Sequence, residues 1–277
     1  MNSKGRFAGR KRNGTSEQLG SASRFSLRNQ STQTPADREF HSRLSSLFDS
    51  ATGSTAEKLE SFARFVPRQA LSLFIAKHLI FEKVVTVHGS IVECGVFMGS
   101  GLFTWAQLSA IHEPVNHGRK VIGFDTFAGF PALSAEDQTP SRGGDFEHKQ
   151  RGSYCFDAAA ELERSAQMFD LNRPLGHIPK IELVKGDAIT TIPKYVADNQ
   201  HLTVALLYLD FDLYEPTKIA LQHLRPRMPR GAVLAFDELN QKQWPGETRA
   251  VLEEVGISSL RIERFPFTPA ISYAVLD

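Results

Sequence analysis

At 277 residues, 41% hydrophobic and with a formal net charge of +1, the chain has the composition of a globular protein with a sizeable core, in one large domain or two small ones. The near-neutral balance gives no reason to expect a nucleic-acid partner, and no run of about 18 apolar residues offers a membrane span. Its two cysteines, Cys94 and Cys155, make neither a disulfide framework nor a metal-binding array, so a reducing, cytoplasmic setting is expected.

Residues 1–36 are rich in Ser, Gly, Asn, Gln, Lys and Arg and carry no periodic apolar positions. Such a segment cannot bury enough surface to offset its ordering entropy, so a disordered basic tail is expected. Its charges are scattered, which fits a solvated tail better than an anion-binding arm. It lacks the apolar stretch of a secretory signal. Residues 37–89 form an N-terminal helical segment: the pattern is helical from about Phe40 to Val87, with Pro67 suited to a helix start.

From residue 90 to 277 the character changes, and short apolar runs alternate with helical stretches. Strands are expected at Ser90–Cys94, Lys120–Phe124, Ile181–Val184, Thr203–Leu209 and Ala232–Phe236. Helices are expected at Gly101–Ile111, Ala188–Ala197, Glu215–Leu224 and Glu247–Val255. The last two runs, Leu260–Phe265 and Ile271–Leu276, have no helix between them and read as a closing antiparallel hairpin. The pattern predicts an α/β fold, a doubly wound, Rossmann-like, mostly parallel sheet of roughly seven strands covered on both faces. Ligands in such sheets sit beyond the carboxyl ends of the strands. Each of the five central strands ends in acid: Glu93, Asp125, Asp187, Asp210 with Asp212, and Asp237 with Glu238.

The turn after the first strand holds Gly95, Gly99 and Gly101, a G-x-x-x-G-x-G spacing with Glu93 ahead of it. A dinucleotide fingerprint is G-x-G-x-x-G, and a carboxylate beside that turn would repel a pyrophosphate. An acid in that place suits a ligand with a cationic end and no phosphate, and S-adenosylmethionine fits. In this reading the backbone from Gly95 through Ser100 to Gly101 approaches the amino-acid moiety, with Glu93 as electrostatic partner. Asp125, followed by Thr126, accepts from the ribose hydroxyls, and Asp187 lies near the adenine. The alternative, that Gly99 and Gly101 only relieve strand–helix packing, explains the glycines but not the acids.

Asp210, Asp237 and Glu238 would converge at one crevice, where carboxylates repel unless they share protons or a cation. Oxygen ligands of this kind suit Mg²⁺. The expected chemistry is a metal-assisted O-methyl transfer to one of two neighbouring hydroxyls, with Asp210 as general base and Asp212 as the alternative. Helix capping is the structural alternative for Asp212 and Asp237. His78, His88, His112, His117 and His223 are scattered without ligand spacing, and His148 lies in a polar connection as an alternative base. Cys94 is expected to be an inert buried thiol and Trp105 to pack. The long connection from Pro131 to about Tyr154 suits a lid, in which Arg142 and Lys149 could meet a phosphate.

Six stretches carry a resemblance: Ile91–Val96 (IVECGV), Val121–Pro131 (VIGFDTFAGFP), Leu183–Asp187 (LVKGD), Leu209–Thr217 (LDFDLYEPT), Ala235–Asn240 (AFDELN) and Trp244–Glu247 (WPGE). With them the chain resembles the macrocin O-methyltransferase family of sugar methyltransferases, nearest to its dTDP-rhamnose 3-O-methyltransferase type. The resemblance implies a class I methyltransferase fold, S-adenosylmethionine, a divalent cation, a sugar or nucleotide-sugar acceptor, and homo-oligomers formed in part through N-terminal helices. By motif, Asp210 matches the family's metal ligand and base, and Asp237 the first of its paired metal acids. The second of the pair is commonly Asp, and here it is Glu238. A catechol-type O-methyltransferase is the second reading, a non-catalytic binding protein the third, and an NAD-dependent sugar dehydrogenase the last.

Overall fold

The computed structural model describes residues 34–138 and 149–277, so the expectations for the tail up to residue 33, for Arg142 and for His148 lie outside the described residues. The chain divides after Ala51 into two units. In the first, α1 (Pro35–Ser50) opens on a capping box, in which Thr34 Oγ1 accepts from Asp37 N and Asp37 Oδ2 accepts from Thr34 N. This cap draws Pro35 and Ala36, read from sequence as tail, into the helix.

The second unit opens with α2 (Thr55–Glu60) and α3 (Arg68–Val84). The long helical pattern is thus broken, at Gly53 with φ +109° and a second capping box on Ser54, and at Pro67, which precedes α3 as expected. Then follow β1 (Ser90–Cys94), α4 (Ser100–His112), β2 (Val121–Asp125), α5 (Ala159–Leu171), β3 (Ile181–Lys185) and α6 (Ala188–Asp198). The chain continues through β4 (Val204–Leu209), α7 (Tyr214–Leu224), β5 (Val233–Phe236), α8 (Pro245–Glu254), β6 (Glu263–Arg264) and β7 (Ser272–Val275). The sequence pattern had not indicated α5. Leu162 and Phe169 are its only large buried side chains, set among charges, so its apolar signal is thin.

The sheet order is β3-β2-β1-β4-β5-β7-β6, with β1 to β5 parallel and β7 antiparallel to β5 and β6. The seven-stranded, doubly wound expectation holds, and the direction of winding reverses between β1 and β4. Side chains alternate between two cores, as the period of two demands. Ile91, Ala205, Tyr208 and Ala235 join the core with α3 and α4; Val92, Cys94, Leu207, Leu209 and Phe236 join the one with α6, α7 and α8. Trp105 is fully buried, as expected, and burial holds the Cys94 thiol un-ionised by raising its pKa. No helix among the described residues is long and apolar enough to cross a membrane.

One buried cation ties α3 to the sheet. Arg119, 3% exposed, donates to the carbonyls of Gly89, Val84, Val85 and Val87, and its Nε lies 2.7 Å from Glu113 Oε1 at the end of α4. It therefore satisfies carbonyls at the close of α3 that have no helical partner. Removing one member of a buried pair leaves the other uncompensated. Arg119→Ala should lower unfolding free energy in urea by about 3–5 kcal/mol. A change near zero would show that Glu113 and the carbonyls find other partners.

Candidate active site

The parallel ladder runs one residue beyond the strands and sets the acids side by side. Asp210 N donates to Cys94 O at 2.8 Å, and Asp237 N donates to Leu209 O at 3.0 Å. The residues just past β1, β4 and β5 are therefore neighbours at the winding switch, where this class of sheet binds ligands.

Each turn glycine answers to a protein atom. Gly95 has φ +97°, and a Cβ there would fall 2.0 Å from the Asp210 carbonyl oxygen. Gly99, at φ +82°, admits the Leu162 side chain, while a Cβ on Gly101 would fall 1.9 Å from Glu93 Oε1. The packing role read for Gly99 and Gly101 is real, and it keeps the backbone at the start of α4 bare. Glu93 is 1% exposed, beneath that first helical turn, so it stands as a buried charge rather than an open carboxylate. Ser100, first residue of α4, is exposed beside it.

Asp125 shapes this turn directly. Its Oδ2 accepts from Val96 N and Phe97 N, both at 2.8 Å, and its Oδ1 accepts from Phe127 N at 2.7 Å. A carboxylate offers about four acceptor positions, so roughly one is left for a ligand hydroxyl. The Thr126 hydroxyl donates to Gly129 O and accepts from Ala128 N, folding the chain after β2. Asp187 caps α6, its Oδ1 accepting from Ile189 N at 3.0 Å. Capping thus falls to Asp187 and not to Asp212 or Asp237. At α7 the capping acceptor is Asp137 Oδ1, taking Tyr214 N at 2.7 Å from the far side of the β2 connection.

Asp210, Asp237 and Glu238 place one carboxylate oxygen each within 4.8 Å of one another, a group unmatched among the described residues. Glu247, fully buried, adds a fourth carboxylate whose Oε1 accepts from Glu238 N at 3.1 Å. Burial pushes the Asp210 carboxyl well above the ordinary carboxylate range, and Asp237 and Asp212 push it further. Burial also raises Glu238, helped by Asp212, Asp237 and Asp210, and raises Glu247 against two backbone N–H donors that oppose the shift. Glu238 Oε2 and Glu247 Oε2 are buried without a hydrogen bond. Crowded oxygens with unused acceptor capacity are a donor set that a hard divalent cation fits, with Asp210, Asp237 and Glu238 as the residues able to hold it.

Lys77 and Tyr208 complete the cluster from below, and neither was singled out from the sequence. Tyr208 pairs with Glu93 in the ladder and donates its hydroxyl to Asp237 Oδ1. The Lys77 ammonium sits 3.3 Å from the Tyr208 ring centroid and 5.0 Å from that of Trp105. Its charge offsets part of the upward push on Asp210. The available signal was a lysine heading an apolar stripe, Lys77, Ile80, Phe81 and Val84, all buried on one face of α3.

Backbone strain gathers here too. Of six non-glycine residues with positive φ among those described, Phe97, Phe127, Tyr154, Asp212 and Asn240 lie in the segments that follow β1, β2, β4 and β5. Aromatic rings from three of these segments meet. Tyr154 lies 5.2 Å from Phe130, 6.1 Å from Trp244 and 6.2 Å from Phe97, centroid to centroid. Lys149 lies 4.6 Å from the Trp244 ring and donates to Asp137 O.

Residues 71–253 match the macrocin O-methyltransferase (TylF) family. The chain belongs to the macrocin O-methyltransferase family. It is accordingly an S-adenosylmethionine-dependent O-methyltransferase, and the dehydrogenase and non-catalytic readings fall away. It is similar to two crystal structures of CalS11, described as a calicheamicin methyltransferase and as a TDP-rhamnose 3'-O-methyltransferase of calicheamicin biosynthesis. Both are 32% identical over 88% of this chain, covering 93% and 95% of theirs, with TM-scores of 0.82 and 0.75. The O-methyltransferase NovP shares the fold at 22% identity and a TM-score of 0.56, over 73% of this chain and 78% of its own. A search of the curated proteins gave no significant match.

The raised carboxyls make a stability prediction with a definite sign. Groups whose pKa is higher folded than unfolded contribute most below the ordinary carboxylate range, and the contribution is lost as pH rises through the raised values. Without divalent cation, Tm should fall as pH rises above that range. Asp237→Asn removes one repelling charge, so it should flatten the fall and raise Tm at about pH 8. Parallel melting curves in EDTA across pH test this; identical slopes would sink it.

Proposed function

We propose that the protein transfers the methyl group of S-adenosylmethionine to a hydroxyl of a nucleotide-linked deoxysugar, with Mg²⁺ held by Asp210, Asp237 and Glu238. The acid cluster is the observation that carries this reading, because carboxylates this close are costly without a cation to share. The sugar acceptor is supported by family membership and by the similarity to CalS11. Bound at the cluster, the cation would supply Lewis-acid stabilisation of the acceptor alkoxide.

The chain's own residues would do the rest. The Gly95–Gly101 backbone receives the donor's amino-acid end, with Glu93 beneath it as a fixed negative charge that favours the ammonium and sulfonium. Asp125 accepts a ribose hydroxyl with its remaining position while holding the turn open. Asp187 bounds the adenine end from the start of α6. Asp210, at the end of β4 among the acids, removes the acceptor proton. Tyr208, locked by its ring contact with Lys77, orients Asp237. Phe97, Phe130, Tyr154 and Trp244 form a wall that excludes water on the acceptor side.

That wall also favours a second reading, methyl transfer to a catechol-like diol, which needs a flat aromatic-lined pocket. Incubation with labelled donor and a panel of nucleotide deoxysugars and catechols separates the two. Labelled nucleotide sugar is expected; turnover of catechols alone overturns the sugar acceptor. Asp210→Asn should reduce kcat by about 10²–10⁴-fold, the usual worth of a general base. Asp237→Asn should remove the response of turnover to added Mg²⁺. If neither variant changes turnover or cation response, the cluster is not the reacting site.

A further inference from the structure

His78 and His112, 34 residues apart and read from sequence as scattered, are brought together where α3 packs against α4. Their Nε2 atoms stand 3.2 Å apart, with ring centroids at 5.1 Å. The His112 ring also lies 5.6 Å from that of buried Phe81, which restrains it. One turn beyond His78, Glu82 Oε1 stands 4.0 Å from His78 Nε2. All three side chains reach solvent, at 35% for His78 and 51% for Glu82, and His112 is exposed.

Without a metal, two neutral imidazoles at this separation share one proton, one Nε2 donating and the other accepting, so the rings adopt different tautomers. The same separation suits two nitrogens on a tetrahedral ion. With metal–nitrogen bonds of about 2.0–2.1 Å, the nitrogen–nitrogen edge is roughly 3.3 Å. An ion can therefore take the place of the shared proton without either helix moving. Glu82 Oε1, 4.0 Å from His78 Nε2, would swing toward the pair to become the third ligand, and water supplies the fourth. Two imidazoles and a carboxylate select a borderline ion such as Zn²⁺, Ni²⁺ or Cu²⁺, whereas the all-carboxylate cluster at the strand ends suits a hard one.

We propose that His78, His112 and Glu82 form a second metal site, for Zn²⁺ or a related borderline divalent ion, that clips α3 to α4. Its consequence follows from what those helices carry. Lys77, next to His78, holds its ammonium against Tyr208, and α4 begins at the glycine turn. A clip between them fixes the helix beneath the acid cluster against the helix that starts the donor turn. The site takes no part in the chemistry.

Titration of the full chain with Co²⁺ under saturating Mg²⁺, which occupies the strand-end cluster, tests this. One equivalent of Co²⁺ should give the visible absorption of a tetrahedral centre, and Zn²⁺ should displace it and raise Tm. His112→Gln, a change at an exposed side chain, should abolish both signals, as should His78→Gln, while Glu82→Ala weakens binding. Asp237→Asn should leave the absorption unchanged. Absorption that survives both histidine changes, or that disappears in Asp237→Asn, would overturn the proposal. So would a wild-type chain that binds no Co²⁺ outside the strand-end cluster.

Discussion

Repulsion among crowded carboxylates is the constraint around which this end of the molecule is built. Asp210, Asp237, Glu238 and Glu247 crowd one corner of the sheet, and their charges raise the cost of ionising one another. The fold brings them together because parallel strands end in step, so the first residues past β4 and β5 cannot avoid one another. What offsets the cost comes from elsewhere in the chain: the Lys77 charge, the Tyr208 hydroxyl and the backbone N–H groups of residues 237 and 238. The sheet thus gathers carboxylates into a donor set of the kind a divalent cation would relieve.

The donor side shows the same economy in its backbone. Asp125 spends three acceptor positions on the N–H groups of Val96, Phe97 and Phe127, and so links the turn after β1 to the turn after β2. Phe97 and Phe127 accept a left-handed backbone in the process. A strained φ at a bulky residue costs on the order of 1–3 kcal/mol, and it persists only where neighbouring bonds determine it. Here the determining bonds are those of Asp125. Its role shown by these bonds is structural, and loss of the side chain would act first on the turn itself.

The sheet and its acids were legible because they are written locally. Five continuous apolar runs, each closed by an acid, specify parallel strands and the gathering of those acids at one edge without any long-range knowledge. Lys77 was illegible for the opposite reason. Its meaning depends on Tyr208, 131 positions away, and a lysine on a helix ordinarily reads as a solvated face. Asp137 is similar: it caps a helix across a gap of 77 residues, and nothing near it in sequence says so. The same holds for His78 and His112, whose separation of 34 has no periodic sense until α3 and α4 pack. Helix α5 escaped because its buried face is only two large side chains wide.

Glu238 shows how a longer acid can be held among shorter ones. The family resemblance sets Asp at this place as the common residue, and the extra methylene of Glu would carry the carboxylate past its partners if the backbone stayed put. The backbone here is gripped: Glu247 Oε1 accepts from Glu238 N, and Asn240, two residues on, turns into the left-handed region with its own N–H on Thr248 Oγ1. Gripped in this way, Glu238 keeps one carboxylate oxygen within 4.8 Å of those of Asp210 and Asp237, and its Oε2 is buried without a hydrogen bond. A carboxylate placed in this way is set among its acidic neighbours rather than on the open surface. The longer side chain and the buried Glu247 are then one arrangement, the second holding the first in range.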